Sequence, residues 1–240
     1  MESEEVWGNI VKGAMKIPFV KVDRDAFLRG ELQPYCNASQ IETAINESPT
    51  KVLTKKQIDK IANGCISHHL KLVCAASAVA GLPGGWSVLA TIPADVTQYY
   101  AHIFALVQKM LYIYGCPDLQ DGNGRIDDET LGIITLFVGV MFGSDMAKKA
   151  ISELSKSLAE QVAKRLPKKH LTKYLIYNVV KEVANWLGKE ITKDSFAKGA
   201  SKVVPLIGAP ISAAVTYFAF KPMANRLKKH LDEQLSLLGN

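Results

Sequence analysis

The chain has 240 residues, of which 48% are hydrophobic and 22% are charged. This apolar content suffices for a buried core and excludes a mainly disordered protein. The mean hydropathy of +0.06 is too low for a protein with many membrane-spanning segments. The net charge of +6 is unevenly spread, with a balance of −3 over residues 1–140 and +9 over residues 141–240. The basic second part is typical of a solvated lysine-rich surface or of attraction to phosphate-bearing surfaces.

Helical periodicity is frequent along the chain, and alternating strand patterns are scarce. We therefore expect an all-α fold, a single multi-helix bundle over residues 1–240 whose apolar helical hairpins are broken by Gly/Pro turns. Residues 1–50 are expected to be packed more loosely. The acidic start, MESEEVWGNI, lacks the features of a secretory signal, which predicts a cytoplasmic location. The four cysteines form no CxxC pair and have no histidine at ligand spacing, so we expect no metal and no other cofactor.

The first long apolar run carries no formal charge between Lys71 and Asp95. A helix is predicted to begin at Thr54 and to lead into it. The segment GLPGG, from Gly81 to Gly85, predicts a tight turn between two apolar helices. Because such a break leaves backbone groups unpaired, a straight membrane span is disfavoured, while a buried hairpin and a re-entrant one both stay open.

The segment IPADVTQYYAH places Asp95, Gln98 and His102 three and four residues apart, on one face of a predicted helix. A carboxylate near an imidazole is suited to binding a polar ligand or to acid-base catalysis. A helix-capping aspartate and a hydrogen-bonded core histidine explain the same residues. His68 and His69 are adjacent, so on a helix they point about 100° apart and are poorly placed to share a metal ion.

The acidic segment DLQDGNGRIDDET resembles a calcium-binding loop, but each register lacks either the terminal carboxylates or the central glycine. An acidic turn that caps a helix from Asp127 or Asp128 explains it better. The apolar run that follows, from Thr130 to Ser144, has 15 residues and is too short for a comfortable membrane span.

Two amphipathic helices are predicted next, one from a Ser144/Asp145 cap to Pro167 and one from Leu171 to Gly188. Around the turn between them lie five basic residues, Lys164, Arg165, Lys168, Lys169 and Lys173. This basic patch favours an anionic membrane surface or a partner protein, and a plain solvated turn is the alternative. The nearby aromatic residues follow core spacing and form no base-stacking platform, so we expect no nucleic-acid partner.

The third apolar run, from Val203 to Phe220, is interrupted by Pro205, Gly208 and Pro210 and has lysines on both sides. A spanning helix is expected to have one basic end that faces the cytoplasm. The symmetric charges therefore predict a core helix or a helix that lies at a surface.

Four segments occur in the order known from a bacterial protein family. They are VDRDAFLRGEL, the block LPGGW…TIPADVTQYY…LVQKMLYIYGCPD, DDETLGIITLFVGVMFG and KVVPLIGAPISAAVTYFAFKPMA. Together they cover most of the chain, which resembles the EcsC family. The resemblance implies an all-helical fold and, because the founding member is encoded beside an ABC transporter, an accessory role near the membrane. It implies no catalytic residues.

The leading hypothesis is a non-enzymatic accessory protein at the cytoplasmic membrane face, with an anionic membrane surface or a membrane protein such as a transporter as its partner. A second hypothesis is a soluble carrier of an apolar small molecule, with a cavity lined by Leu82, Trp86, Tyr99 and Phe104. Such a cavity is expected to exceed about 300 Å³ and to have Asp95 or His102 at its mouth. A third is an enzyme that uses Asp95 and His102 as an acid-base pair.

Overall fold

The computed structural model describes residues 3–80, 94–120, 126–164, 172–201 and 208–238. Within these ranges the chain forms nine α-helices and no strand, which confirms the all-α prediction. The helices are α1 (Ser3–Ala14), α2 (Arg24–Leu32), α3 (Ala38–Asn46), α4 (Lys55–Ala80), α5 (Ala94–Ile113), α6 (Asp128–Phe142), α7 (Asp145–Lys164), α8 (Thr172–Ser201) and α9 (Gly208–Leu238). Two short 3₁₀ turns, Pro18–Val20 and Pro49–Lys51, lie between the first four helices.

Three helices begin at the capping residues that the sequence predicts. The Thr54 hydroxyl accepts a hydrogen bond from the Gln57 backbone N–H at 3.3 Å, and the Thr54 N–H donates to the Gln57 side chain at 2.8 Å, so α4 starts with a reciprocal cap. The Asp127 carboxylate accepts from the Thr130 N–H at 2.8 Å and caps α6. The Ser144 hydroxyl accepts from the Ala147 N–H at 3.3 Å and caps α7. These contacts satisfy N–H groups that have no partner within the helix.

The most apolar helices, α5 and α6, lie at the centre of the bundle. From Tyr100 to Ile113 almost every residue of α5 is buried, and so are most residues of α6. Helix α5 packs against α1, α4 and α6, while α6 packs against α7, α8 and α9. Helix α9 lies along α4. Because both central helices are largely surrounded by other helices, apolar residues occupy most of their positions.

The prediction that Gly188 ends a helix is wrong, because α8 continues through this residue to Ser201. A Cβ atom at Gly188 would lie 1.8 Å from the Ser3 carbonyl oxygen. The absent side chain therefore allows the start of α1 to pack directly on α8. Gly139 of α6 has a similar role, since a Cβ there would lie 2.7 Å from Val183 and 2.8 Å from Ala147. Both glycines permit close helix packing rather than a turn.

The first 50 residues, for which we expected looser packing, contribute to the same core as the rest of the chain. Trp7 of α1 is 3% exposed and makes edge contacts with Tyr100 at 5.8 Å and Phe104 at 5.7 Å between ring centroids. Its indole N–H donates to the Thr135 hydroxyl at 3.3 Å. One aromatic side chain therefore joins α1 to both central helices.

The described parts of the apolar runs lie in helices. The run from Thr130 to Ser144 belongs to buried α6 and the start of α7, and the part of the third run from Gly208 onward belongs to α9, where Phe220 is fully buried. Residues 81–93 and 202–207 lie outside the described ranges. Over the part of the chain that the structure describes, none of the helices combines the length and hydrophobicity that crossing a membrane requires.

Candidate functional site: a histidine-lined cavity between α4 and α5

A cavity of about 540 Å³ lies between the second half of α4 and the first half of α5. Its volume falls in the range of about 300–1,000 Å³ that is usual for small-molecule sites. Two residues of its wall, Phe19 and Leu72, are 42% and 41% exposed. The residues that line the cavity come from α4, α5 and the Pro18–Val20 turn: Phe19, His68, His69, Leu72, Ala75, Ala76, Gln98, His102 and Lys109.

Two buried histidines face each other where α4 and α5 pack together. His69 is 2% exposed and His102 is 5% exposed. Their Nδ1 atoms are 3.4 Å apart, and their ring planes are inclined by 67°. For a hydrogen bond between two neutral rings, one Nδ1 must carry the proton and the other must accept it. The ring that accepts at Nδ1 then carries its own proton on Nε2.

Phe19 covers His102 because a buried glutamine holds the Pro18–Val20 turn against α5. The fully buried Gln108 amide donates to the Val20 carbonyl at 2.7 Å, and its oxygen accepts from the Val22 N–H at 3.3 Å. The Phe19 ring stacks on the His102 ring at 4.6 Å between centroids, with an interplanar angle of 24°. Gln108 thus supplies partners for an irregular backbone segment and also shapes one wall of the cavity.

Burial keeps the histidine pair neutral at physiological pH. Loss of hydration, together with smaller effects of Lys109 and the neighbouring histidines, lowers the pKa of His69 from 6.5 to about 2. The pKa of His102 is lowered for the same reason, with His68 and Lys109 adding to the effect. The Nε2 atom of His69 is buried and has no hydrogen-bond partner. Such a group is costly in a folded protein and calls for an explanation.

The structure brings two of the three residues of the predicted polar site to this cavity. Gln98 and His102, one helical turn apart on α5, both line it. Asp95 is in the first turn of α5, and its side chain lies outside the described residues. The Nδ1 atom of His102 contacts His69 of α4, a partner that the spacing within one helix does not predict.

The cavity has His102 in its wall, as expected for a carrier, but the rest of its lining differs from the expected one. Phe104 packs on Trp7 in the core, and the Tyr99 ring contacts Phe220 at 5.9 Å, so neither residue lines the cavity. Both lie on other faces of α5 than Gln98 and His102. Leu82 and Trp86 lie outside the described residues.

Most of the predicted basic patch also lies outside the described residues, including Arg165, Lys168 and Lys169. Lys164 ends α7 and Lys173 is in the first turn of α8, but their side chains are outside the described part. The surface role of this patch stays a prediction.

Several residues of the site were missed from the sequence, among them His69 as a partner of His102, Phe19 and Leu72 as walls, and Lys109 as the cation of the lining. His69 is 33 residues from His102. The sequence signal that was present is a histidine in each of two consecutive apolar helices. Nothing in the pattern around Phe19 indicates a contact with α5, since that contact depends on Gln108.

Among the described residues, no group of three or more His, Cys, Asp or Glu side chains is placed to hold a metal ion. The loop at residues 121–125, considered for calcium, is outside the described ranges. Comparisons with family models, curated proteins and solved structures gave no match. Membership of the EcsC family therefore stays a prediction that depends on the sequence motifs.

Proposed function

We propose that the protein is a binding module for a small, mostly apolar molecule that occupies the cavity between α4 and α5. The observation that carries the proposal is the cavity itself, about 540 Å³, in which Phe19, Leu72 and two alanines form apolar walls. Its polar groups come from three histidines, Gln98 and Lys109. Apolar walls with a small number of placed polar groups are typical of ligand sites. In this role the polar groups orient the ligand and the apolar walls provide most of the affinity.

The experiment is a titration with the neutral dye N-phenyl-1-naphthylamine, whose fluorescence rises in apolar surroundings. We expect saturable binding to the wild-type chain. Ala75→Phe should weaken it strongly, because Ala75 lines the cavity and lies on an exposed part of α4, so the larger ring fills the space with little cost to folding.

The matched control is Ser67→Phe, which adds a phenyl ring to an exposed position on the same helix outside the cavity wall. This variant should bind the dye like the wild type. Undiminished binding to the Ala75→Phe variant would show that the dye occupies another place, and the proposal would then fail.

A second candidate function is attachment to the cytoplasmic membrane face, as the resemblance to the EcsC family implies. The observation that favours it is a pair of surface aromatic residues on α9, Tyr217 and Phe218, which are 37% and 74% exposed. The Lys221 ammonium donates to the Tyr217 hydroxyl at 2.8 Å and lies 5.1 Å from the centre of its ring. Aromatic rings beside a long basic side chain suit the interface of a membrane with water.

Co-sedimentation with liposomes tests this second function. We expect binding to vesicles with phosphatidylglycerol and none to pure phosphatidylcholine, with loss of binding when the salt rises from about 0.05 M to about 0.5 M. Phe218→Ser should reduce binding, while Tyr177→Ser, which removes an aromatic ring that is 68% exposed on α8, should not. Equal pelleting of both variants would contradict a role for the α9 pair.

Charge reversal of Lys164, Arg165, Lys168 and Lys169 tests the basic patch separately. It should lower binding to anionic vesicles, because each basic residue near such a surface contributes about 1 kcal/mol. If partitioning does not change, the patch has no part in lipid attachment.

A further inference from the structure

The polar groups among the described lining residues of the cavity include a cation and no anion. They comprise three imidazoles, one amide and the Lys109 ammonium, and no carboxylate is among the described lining residues. The titratable residues of the lining come from two helices, His68 and His69 from α4 and His102 and Lys109 from α5. The Pro18–Val20 turn contributes only the uncharged Phe19. Among its described lining residues, the site therefore offers a cation and N–H donors and no negative charge.

The histidine pair supplies an N–H in either proton arrangement. With the two Nδ1 atoms 3.4 Å apart, whichever ring accepts at Nδ1 has its proton on Nε2. The Nε2 atom of His69 has no partner although the residue is 98% buried, with only 2% of its surface exposed. In the arrangement where His69 is the acceptor, a buried donor is left unsatisfied unless a bound molecule accepts from it.

Lys109 is partly buried and rests on the Phe27 ring, with its Nζ 5.6 Å from the ring centre. Among the described residues, no carboxylate lies within ion-pair distance of Lys109, whereas Lys51, Lys148 and Lys228 each pair with an acid. Its charge acts on both buried histidines and disfavours their protonation. A single carboxylate bound in the cavity would balance the charge of the Lys109 ammonium.

We infer that the molecule bound in this cavity is an apolar monocarboxylate, with its hydrocarbon part against Phe19, Leu72 and Ala76 and its carboxylate at the His69/His102 pair and Lys109. This inference rests on the proposed function and names the class of its ligand. Carboxylate oxygens accept hydrogen bonds from imidazole N–H and ammonium groups, and such charge-assisted bonds are about twice as strong as neutral ones. The single cation of the lining matches one negative charge.

The test compares octanoate with 1-octanol by isothermal titration calorimetry near neutral pH, since the two probes share a chain length and differ in the head group. We expect octanoate to bind about tenfold more tightly than 1-octanol, which is the effect of one charge-assisted hydrogen bond. Lys109→Met, which keeps the apolar stem and removes the charge, should abolish this difference. Lys109→Arg, which keeps the charge, should retain most of it.

Lys71→Met is the matched control, because it removes the same charge from an exposed position of α4 that does not line the cavity. It should leave the preference for octanoate intact, and thermal unfolding of each variant confirms that it is folded. Equal affinity for the two probes, or a preference that survives Lys109→Met, would overturn the inference and leave the binding function standing. Failure of both probes to bind would overturn the inference together with the proposed function.

Discussion

The two sides of α5 differ in how completely they are packed. On the side towards α1 and α6, Phe104 contacts the Trp7 ring at 5.7 Å and Tyr100 stacks on Phe142 at 6.1 Å between centroids. On the side towards α4, Gln98 and His102 border an open space of about 540 Å³. We call these the packed side and the cavity side of α5. One helix thus supplies both the core and the candidate site.

The difference teaches where this fold can tolerate polar groups. On the packed side, aromatic rings fill the space between helices and leave no room for water. On the cavity side, buried histidines are kept without full hydrogen bonding, at a cost to stability that a structural role does not explain. Incomplete packing together with unsatisfied polar groups is more typical of a site than of a core.

The largest expected effect is on the packed side. Phe104→Ala should lower the free energy of unfolding by about 3–5 kcal/mol, because it removes a ring that is 2% exposed and leaves a cavity between α1 and α5. Urea unfolding followed by circular dichroism measures the loss. A loss below about 1 kcal/mol would mean that the packed side can collapse around the gap and that the two sides are alike.

Gln108→Leu should lower the free energy of unfolding by about 1–3 kcal/mol, because the Val20 carbonyl and the Val22 N–H lose their buried partner. Urea unfolding measures this loss. Hydrogen exchange at the Val22 amide should become faster, and dye binding should weaken because Phe19 is no longer held over His102. Unchanged exchange at Val22 would argue against Gln108 as the support of this wall.

Acidification should destabilise the protein through the cavity side. The pKa of His69 is lowered to about 2 in the folded chain from an ordinary value of 6.5, so below about pH 6.5 the unfolded chain binds more protons than the folded one. Stability is therefore retained above that pH, and His69 alone reduces it by about 1.4 kcal/mol for each pH unit below it.

Urea unfolding at a series of pH values between about pH 7 and pH 5 measures this slope. The pKa values of His102 and His230 are also lowered by burial, so they add to it. His69→Gln should flatten the profile by removing the largest contribution. A profile of the same steepness in this variant would assign the acid sensitivity to other groups.

The smallest effect is expected for Leu72→Ala. Leu72 is 41% exposed at the edge of the cavity, so its truncation should change the free energy of unfolding by less than about 0.5 kcal/mol. Binding of the neutral dye should nevertheless weaken, since a wall contact is lost. A destabilisation close to that of Phe104→Ala would remove the distinction between the two sides of α5.

Features that depend on residues close together in the sequence could be predicted. The caps at Thr54, Asp127 and Ser144 are contacts across three residues, so the local sequence contains both partners. The apolar character of α6 also follows from its own residues. Gly188 shows the limit of such reasoning, because a glycine that ends one helix and a glycine that admits a neighbouring helix look alike in sequence.

For the candidate site, the helical spacing placed Gln98 and His102 together, and both line the cavity. The contact of His102 with His69 joins two helices across 33 residues, and the stacking of Phe19 depends on the hydrogen bonds of Gln108. Neither contact can be predicted from the helical period of 3.6 residues, because this period relates only residues of the same helix.

Three properties could be predicted from local sequence: that the chain is helical, where several helices begin, and which residues share a face of each helix. These properties arise from local hydrogen bonds and helical periodicity. Three other features became apparent only in the folded chain: α8 runs through Gly188, α5 has a packed side and a cavity side, and His69 contacts His102. Those features depend on which helices become neighbours, and that choice is made by the packing of the whole core.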